Sequence, residues 1–184
     1  MKITEIEVYQ LGEQASPGSA TWAGNSILLK LTTSEGTVGY GEAVPTLRVQ
    51  PVIQSLHEVA RVYKGRDPLD MELNIHEWHK HDFYLPVSFE STTALSAFDI
   101  ACWDIAGKHF GAPIHQLIGG RYRTSVRVYA NGWYDKCVSP EQFGTRAKKF
   151  AGMGYTALKF DPFGAHYDSI DTNGIQRAYD RVKA

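Results

Sequence analysis

The chain has 184 residues, of which 43% are hydrophobic, and its 19 lysines and arginines nearly balance its 20 aspartates and glutamates. This hydrophobic content is enough for the core of one domain or two small ones, so the composition excludes an intrinsically disordered protein. A net charge of −1 gives no overall attraction to nucleic acid or to an anionic membrane, so we expect neither and favour a small molecule or a protein as partner.

The amino-terminal segment MKITEIEVYQL lacks the basic and apolar regions of a secretory signal, and no run of eighteen uncharged apolar residues occurs in the sequence. We therefore expect a soluble, cytoplasmic protein. Cys102 lies in an apolar stripe with helical spacing and Cys137 lies in a predicted loop. Two cysteines placed in this way are expected to be reduced thiols rather than a disulfide.

The first 44 residues have the pattern of an antiparallel β-meander. The segment ITEIEVYQL alternates between apolar and polar residues, and SILLKLTTSEGTVGYGEAV folds back on itself at the turn 34–36. A glycine- and serine-rich loop, residues 12–25, connects these segments and contains Trp22. An ordinary hairpin connection and a mobile lid are both compatible with this loop.

Two amphipathic helices are predicted after the meander. The first is indicated by an apolar stripe that ends near Gly65 and consists of Val52, Leu56, Val59 and Tyr63. The second runs from about residue 92 to 110, with Ser91 or Thr92 as its N-cap. Its alanines would let a neighbouring element approach closely, and its Asp104 and Lys108 have the spacing of a helical ion pair.

From Ser125 onward the pattern changes to strand, helix, strand and helix. SVRVYAN and YTALKF are the predicted strands, and the predicted helices cover about 139–151 and 172–183, the first opened by a capping box at Ser139. This order is typical of a parallel sheet, which is covered on both faces. Because two strands alone would leave a large apolar surface in water, we expect further segments to complete the sheet.

The segment GYTALKFDPFG carries two charges in its predicted strand. Because alternate side chains of a strand face opposite sides, Lys159 and Asp161 share one face while Leu158 and Phe160 share the other. The carboxyl ends of such strands are where barrel and open-sheet folds place their chemistry, and a buried lysine can serve as a general base. From the spacing alone, a functional lysine and a structural ion pair between Lys159 and Asp161 explain the charges equally well.

Two other motifs favour structural interpretations. His76, His79 and His81 are close in sequence, but the loop of acidic or cysteine ligands that usually completes a zinc site is missing, so we interpret them as a solvated helix end. The stretch Gly119–Arg123 resembles a phosphate-binding loop only superficially, because it follows a helix and lacks the spacing of a nucleotide fingerprint. We predict a connection between two domains there.

Three segments resemble the mandelate racemase/muconate lactonizing enzyme group of the enolase superfamily: ALSAFDIACWDIAGKHFGAPIHQLIGGRYRTSVRVYAN, TVGYGEAVP and GYTALKFDPFG. The resemblance implies an α+β capping domain over residues 1–120, followed by the first two βα units of a (β/α)8 barrel over 121–184. It also implies abstraction of a proton α to a carboxylate, with the enolate stabilised by Mg²⁺. The carboxylate ligands of that Mg²⁺ are expected on later strands, beyond residue 184.

The chain departs from the family's Lys-x-Lys pattern, because it reads Lys159-Phe160-Asp161. The segment KFDPFG is more similar to the sugar-acid dehydratases related to galactonate, gluconate and arabinonate dehydratases. Racemases, epimerases and cycloisomerases of the same superfamily remain the alternative functions. The resemblance therefore implies a lyase acting on a sugar acid, in a homo-oligomer. Lys159 is the candidate catalytic residue, and the candidate substrate-binding residues are Asp161, Asn131, Trp133 and, on the lid, Trp22.

About 60 residues remain from Ser125 to the last residue, which is room for two of the eight βα units of a barrel. We therefore expect that the sequence is truncated at its carboxyl end and that the truncated chain alone is inactive. For the chain taken literally, a non-catalytic fragment or interaction module without the metal site is the competing hypothesis. A reading frame that continues past Ala184 into strands bearing one Asp and two Glu would favour the enzyme.

Overall fold

The computed structural model describes residues 1–12, 25–80, 88–164 and 170–184. The strands and helices within these ranges are β1 Ile3–Leu11, β2 Ser26–Thr33, β3 Val38–Ala43, α1 Val49–Tyr63, α2 Met71–Lys80, α3 Phe89–Phe110, α4 Ile114–Leu117, α5 Pro140–Gly152 and α6 Thr172–Lys183. The chain divides into two compact units, Met1–Arg121 and Tyr122–Ala184. Among the described residues, no helix has both the length and the hydrophobicity needed to cross a bilayer.

The predicted meander is confirmed. The three strands pair antiparallel in the order β1-β2-β3, with Glu7 opposite Lys30 and Leu29 opposite Gly41. The alternation of β2 buries one of its faces completely, at Ile27, Leu29 and Leu31. The turn between β2 and β3 is closed by the Gly36 N–H, which donates to the Thr33 carbonyl at 3.0 Å.

Two helices cover the apolar face of this sheet. The predicted stripe of α1 is buried as expected, and it packs with α3 and the sheet in one core. The backbones of β3 and α3 approach closely, because a Cβ added at Gly39 or Gly41 would overlap the carbonyl oxygen of Ala101 or Ala97. Glycine on β3 is therefore needed for this contact.

The helix α3 begins earlier than predicted, at Phe89, and its N-cap is Ser88 rather than Ser91 or Thr92. Ser88 and Ser91 form a reciprocal capping box, in which the Ser91 N–H donates to Ser88 Oγ at 3.2 Å and the Ser88 N–H donates to Ser91 Oγ at 3.0 Å. The prediction was wrong because the third helical position here is a serine, instead of the usual glutamate or glutamine. Gly111 ends the helix in the left-handed conformation, with φ of 62°.

The predicted Asp104–Lys108 pair is present, with 2.6 Å between Lys108 Nζ and Asp104 Oδ2. The pair also binds the edge strand: the Tyr40 N–H donates to Asp104 Oδ2 at 2.9 Å, and Lys108 Nζ donates to the Val38 carbonyl at 2.7 Å. These contacts fasten α3 to β3 at the edge of the sheet.

In the second unit the two predicted helices are confirmed as α5 and α6, but the two predicted strands are not full strands. Their pairing consists of one isolated parallel bridge between Ala130 and Leu158. Parallel pairing is slightly less stable per residue than antiparallel pairing, and two strands without further neighbours are marginally stable, which accounts for the short ladder.

Candidate active site

The second unit is built around an aromatic cluster. Its buried centre consists of Ala130, Trp133 and Phe143, and Tyr134 and Phe160 pack against that centre. The Trp133 ring lies 5.2 Å from the Phe160 ring and 6.2 Å from the Phe143 ring, both edge to face. The cluster therefore joins the first strand segment, the helix α5 and the second strand segment.

Alternation along the second segment is as the sequence predicts. Leu158 and Phe160 pack against the aromatic cluster, whereas Lys159 is exposed. The register is set by two hydrogen bonds: the Ala130 N–H donates to the Ala157 carbonyl at 3.0 Å, and the Lys159 N–H donates to the Ala130 carbonyl at 2.9 Å. Lys159 therefore projects from the face of the strand pair that is opposite the cluster.

The alternative of a structural ion pair is wrong. Among the described residues, Lys159 and Asp161 form no salt bridge with each other; instead, Asp161 Oδ1 accepts a hydrogen bond from the Phe163 N–H at 3.0 Å. This turn contact follows from the proline at position 162, which ends the strand and brings the next amide back to the carboxylate. The Lys159 Nζ lies 5.7 Å from the centroid of the Tyr129 ring.

Trp133, a predicted substrate contact, is only 3% exposed. Its indole Nε1 donates to the carbonyl oxygen of Lys159 at 2.9 Å, and its own carbonyl accepts from Arg146 Nη1 at 3.4 Å. An indole has one hydrogen-bond donor, so the Trp133 donor is already used within the protein. The structure thus brings Trp133 against the backbone of Lys159.

Asn131 is exposed, and its Oδ1 accepts from the Gly132 N–H at 3.0 Å. It directly follows Ala130, whose carbonyl binds Lys159, so it lies at the same end of the strand pair. Trp22 and the greater part of the predicted lid lie outside the described residues, as does His81.

The sequence did not single out Tyr129. A signal for it was available, because it lies two residues before Asn131 on the same predicted strand and therefore shares its face. That face also presents Lys159 on the neighbouring segment.

No group of three His, Cys, Asp or Glu side chains within the described ranges is arranged to hold a metal ion. The described residues therefore do not fit the Mg²⁺ that the sequence resemblance implies. His76 and His79 are both exposed on α2, as expected for a solvated helix.

Two ionisable groups on α3, Cys102 and Asp99, have pKa values that are shifted mainly by burial. Burial raises the pKa of the Cys102 thiol to about 12, which keeps it protonated and unreactive at neutral pH. Burial also raises the pKa of the Asp99 carboxyl, with a smaller contribution from the nearby Glu72 charge, while a hydrogen bond from Trp103 opposes the shift. These groups are explained by packing.

Comparison with known proteins gives relatives over the whole chain. The chain is 47% identical over 184 residues to the D-gluconate/D-galactonate dehydratase of Picrophilus torridus, which aligns with 99% of this chain and 46% of that protein. It is 48% identical over 182 residues to the D-gluconate dehydratase of Thermoproteus tenax, covering 99% of this chain and 36% of that protein. The chain thus spans less than half the length of these curated relatives.

Solved structures agree on the fold. A mandelate racemase/muconate lactonizing enzyme from Sulfitobacter sp matches with a TM-score of 0.80 and 30% identity, over 100% of this chain and 49% of that one. A member of the enolase superfamily from Salmonella Typhimurium matches with a TM-score of 0.82 and 25% identity, over 99% and 50%. These matches confirm the expected fold class, an α+β capping domain followed by the first part of a barrel.

The family model described as the N-terminal domain of mandelate racemase / muconate lactonizing enzyme matches residues 14–119, which is more than half of the chain. The chain therefore belongs to the mandelate racemase/muconate lactonizing enzyme family.

Proposed function

We propose that this chain is the amino-terminal portion of a Mg²⁺-dependent sugar-acid dehydratase. The reaction removes the α-proton of an aldonate and breaks the bond from the β-carbon to its hydroxyl, so that one water leaves and an enol remains that tautomerises to a 2-oxo acid. The observation that carries the proposal is 47% identity, over 99% of the chain, to a protein named D-gluconate/D-galactonate dehydratase.

In this proposal Lys159 contacts the substrate. Its ammonium group is exposed at the end of the strand pair and forms no ion pair among the described residues, so the charge is available to a carboxylate or hydroxyl oxygen of a sugar acid. A fixed positive charge near the carboxylate orients the substrate and favours the charge that develops on the carboxylate as the α-proton leaves. Lys159 is thus proposed to orient and polarise the substrate.

Two further side chains are proposed as substrate contacts at the same end of the strand pair. The Asn131 amide and the Asp161 carboxylate are both exposed, and each uses one oxygen on its own backbone turn. The Asn131 side-chain NH₂ group and the second Asp161 oxygen remain able to bind sugar hydroxyls. Trp22, on the predicted lid, is also proposed as a substrate contact.

The Mg²⁺ of the proposed reaction would need ligands other than the described residues, because these contain no suitable group of three. We propose carboxylates on strands beyond residue 184. The reading frame of the gene tests this directly: a continuation with one Asp-bearing and two Glu-bearing strands supports the enzyme, and an immediate stop codon leaves a non-catalytic fragment.

The activity is tested by expressing the full-length protein and measuring 2-oxo acid formation from a library of aldonates, with Mg²⁺ and with chelator. Lys159→Ala is expected to lower kcat/KM by about 100-fold, the usual cost of losing one group that stabilises charge in the transition state. Lys148→Ala, which removes an exposed lysine on α5, is the matched control and should stay within about twofold.

Three outcomes would change the proposal. Unchanged turnover in the Lys159→Ala variant removes Lys159 from the mechanism. Epimerised acid in place of 2-oxo acid makes the protein a racemase or epimerase, and turnover that chelator leaves intact rejects the Mg²⁺ dependence.

A further inference from the structure

Lys159 is held at three points by one short segment of the chain, residues 129–133. Its N–H donates to the Ala130 carbonyl at 2.9 Å, and its carbonyl accepts from Trp133 Nε1 at 2.9 Å. Its ammonium nitrogen lies 5.7 Å from the centroid of the Tyr129 ring. Both the main chain and the charge of Lys159 are therefore placed by the same segment.

We propose that Trp133 and Tyr129 are positioning residues for Lys159, Trp133 acting on its backbone and Tyr129 on its ammonium group. This inference rests on the proposed function, because the position of Lys159 matters for turnover only if Lys159 contacts the substrate. Trp133 then positions Lys159 instead of binding the substrate, and Tyr129 acts beside it.

Trp133 contacts Lys159 through a hydrogen bond to its carbonyl oxygen. The strand pair has a single isolated bridge, so the Lys159 carbonyl follows the last ladder contact of the described segment, and the indole N–H supplies the partner there. The ring is fixed by Phe143, Tyr134 and Phe160 around it, which leaves little freedom for the donor to move. A phenylalanine at this position would keep an aromatic ring in the cluster and remove only the donor.

Tyr129 lies on the same face of the strand pair as Lys159. Ala130 belongs to the aromatic cluster, so the preceding Tyr129 side chain projects from the opposite face, the one that presents Lys159. A distance of 5.7 Å between ammonium and ring centroid is within the range of a cation–π contact. Because Tyr129 is 52% exposed, such a contact is expected to shift an equilibrium by about two- to fivefold.

The test uses four variants of the full-length protein. Trp133→Phe removes the indole donor, Tyr129→Leu removes the ring and Tyr129→Phe keeps it. Phe150→Leu is the matched control, because Phe150 packs against the same aromatic cluster through Tyr155 and is not one of the rings around Trp133. Each variant is measured for kcat and KM on the aldonate that the wild-type protein turns over fastest, and for the acetylation rate of Lys159 relative to Lys148.

Trp133→Phe is expected to lower kcat about tenfold with KM changed less than about twofold, because a small displacement of a catalytic group costs rate rather than binding. Tyr129→Leu should lower kcat by about fivefold and raise Lys159 acetylation about threefold, since the ring no longer shields Nζ. Tyr129→Phe and Phe150→Leu should match the wild type. Equal losses of kcat in Phe150→Leu and Trp133→Phe, or no loss in Trp133→Phe and Tyr129→Leu, would overturn the inference.

The turnover measurement tests the proposed function, and the acetylation rates test the positioning of Lys159 independently of it. If the wild-type protein turns over no sugar acid, the dehydratase proposal fails, and the acetylation rates alone decide the positioning of Lys159. A faster rate in Tyr129→Leu but not in Tyr129→Phe still supports the contact, whereas one common rate in all four variants rejects it.

Discussion

The two units of this chain differ in how completely they bury their apolar residues. In the first unit, one face of β2 and the facing stripes of α1 and α3 are fully buried in a single core. In the second unit, Val126 and Val128 on the first strand segment are 72% and 61% exposed. An apolar stripe of α6 is exposed as well, at Ile175, Tyr179 and Val182.

The first unit therefore buries its apolar residues in one core, whereas the second unit leaves apolar side chains of its strand pair and of α6 exposed. Apolar side chains on both a strand pair and a neighbouring helix are expected where more strands and helices would cover them, as in a complete barrel. The curated relatives are more than twice as long as the aligned part, since the chain covers 46% and 36% of them. Four measurements test this difference between the two units.

The largest effect is expected from separating the units. A polypeptide of residues 1–121 should unfold cooperatively in urea, because its sheet and helices bury one common core. A polypeptide of residues 122–184 should show no cooperative transition, because its buried centre is small. Circular dichroism during urea titration measures both, and a sharp transition in 122–184 would contradict the comparison.

A single methyl group should distinguish the two units. Gly41→Ala forces a Cβ into the carbonyl of Ala97 and should lower the free energy of unfolding by about 2–4 kcal/mol. Gly152→Ala, at the end of α5, is the control, because the added Cβ meets no described atom within 4 Å. It should be neutral or stabilise by up to about 1 kcal/mol. Urea midpoints of the full-length variants check this, and equal midpoints would refute the tight β3–α3 packing.

These features show what the sequence could and could not predict. Local patterns predicted the meander, the Asp104–Lys108 pair and the helix opened at Ser139, because each depends on residues close in the chain. The histidines of the polar helix α2 were interpreted as a solvated helix end, but the bounds of this helix were not predicted, since it buries little besides Asn74 and has no clear apolar stripe.

The candidate site was predicted only in part. Alternation placed Lys159 opposite Leu158 and Phe160, as found. The hydrogen bond from Trp133 to the Lys159 carbonyl joins residues far apart in sequence, and no local pattern specifies it. The sequence also could not predict the short ladder between the two strand segments, because the length of a strand depends on the neighbouring strands that pair with it.

A smaller effect is expected at the edge of the first unit. Asp104→Ala removes the acceptor of both the Tyr40 N–H and Lys108 Nζ, and should cost about 1 kcal/mol of unfolding free energy. Lys80→Ala removes an exposed partner that lies 3.8 Å from Glu77, and should cost less than about 0.5 kcal/mol. Urea titration of the 1–121 polypeptide compares them. Equal costs would mean that Asp104 does not fasten α3 to β3.

The smallest effect is a pH dependence at Asp99. Burial raises the pKa of this carboxyl in the folded state, so folding favours its protonated form, and this contribution to stability is lost as pH rises through the raised pKa. Asp99→Asn should therefore raise Tm at pH 7, and the gain should vanish below about pH 4, where the aspartate is protonated even when unfolded. Glu58→Gln, which removes an exposed charge on α1, is the control and should give no such pH-dependent gain.

The central claim is that Lys159 contacts a sugar acid from the open face of an incomplete barrel. Acetylation of Lys159 in the full-length protein, followed by peptide mapping with and without the aldonate that it turns over, tests this most directly. We expect the aldonate to slow acetylation of Lys159 by about tenfold or more and to leave Lys148 unaffected, because a bound carboxylate covers only the Lys159 amine. Equal acetylation of Lys159 with and without a saturating aldonate would contradict it.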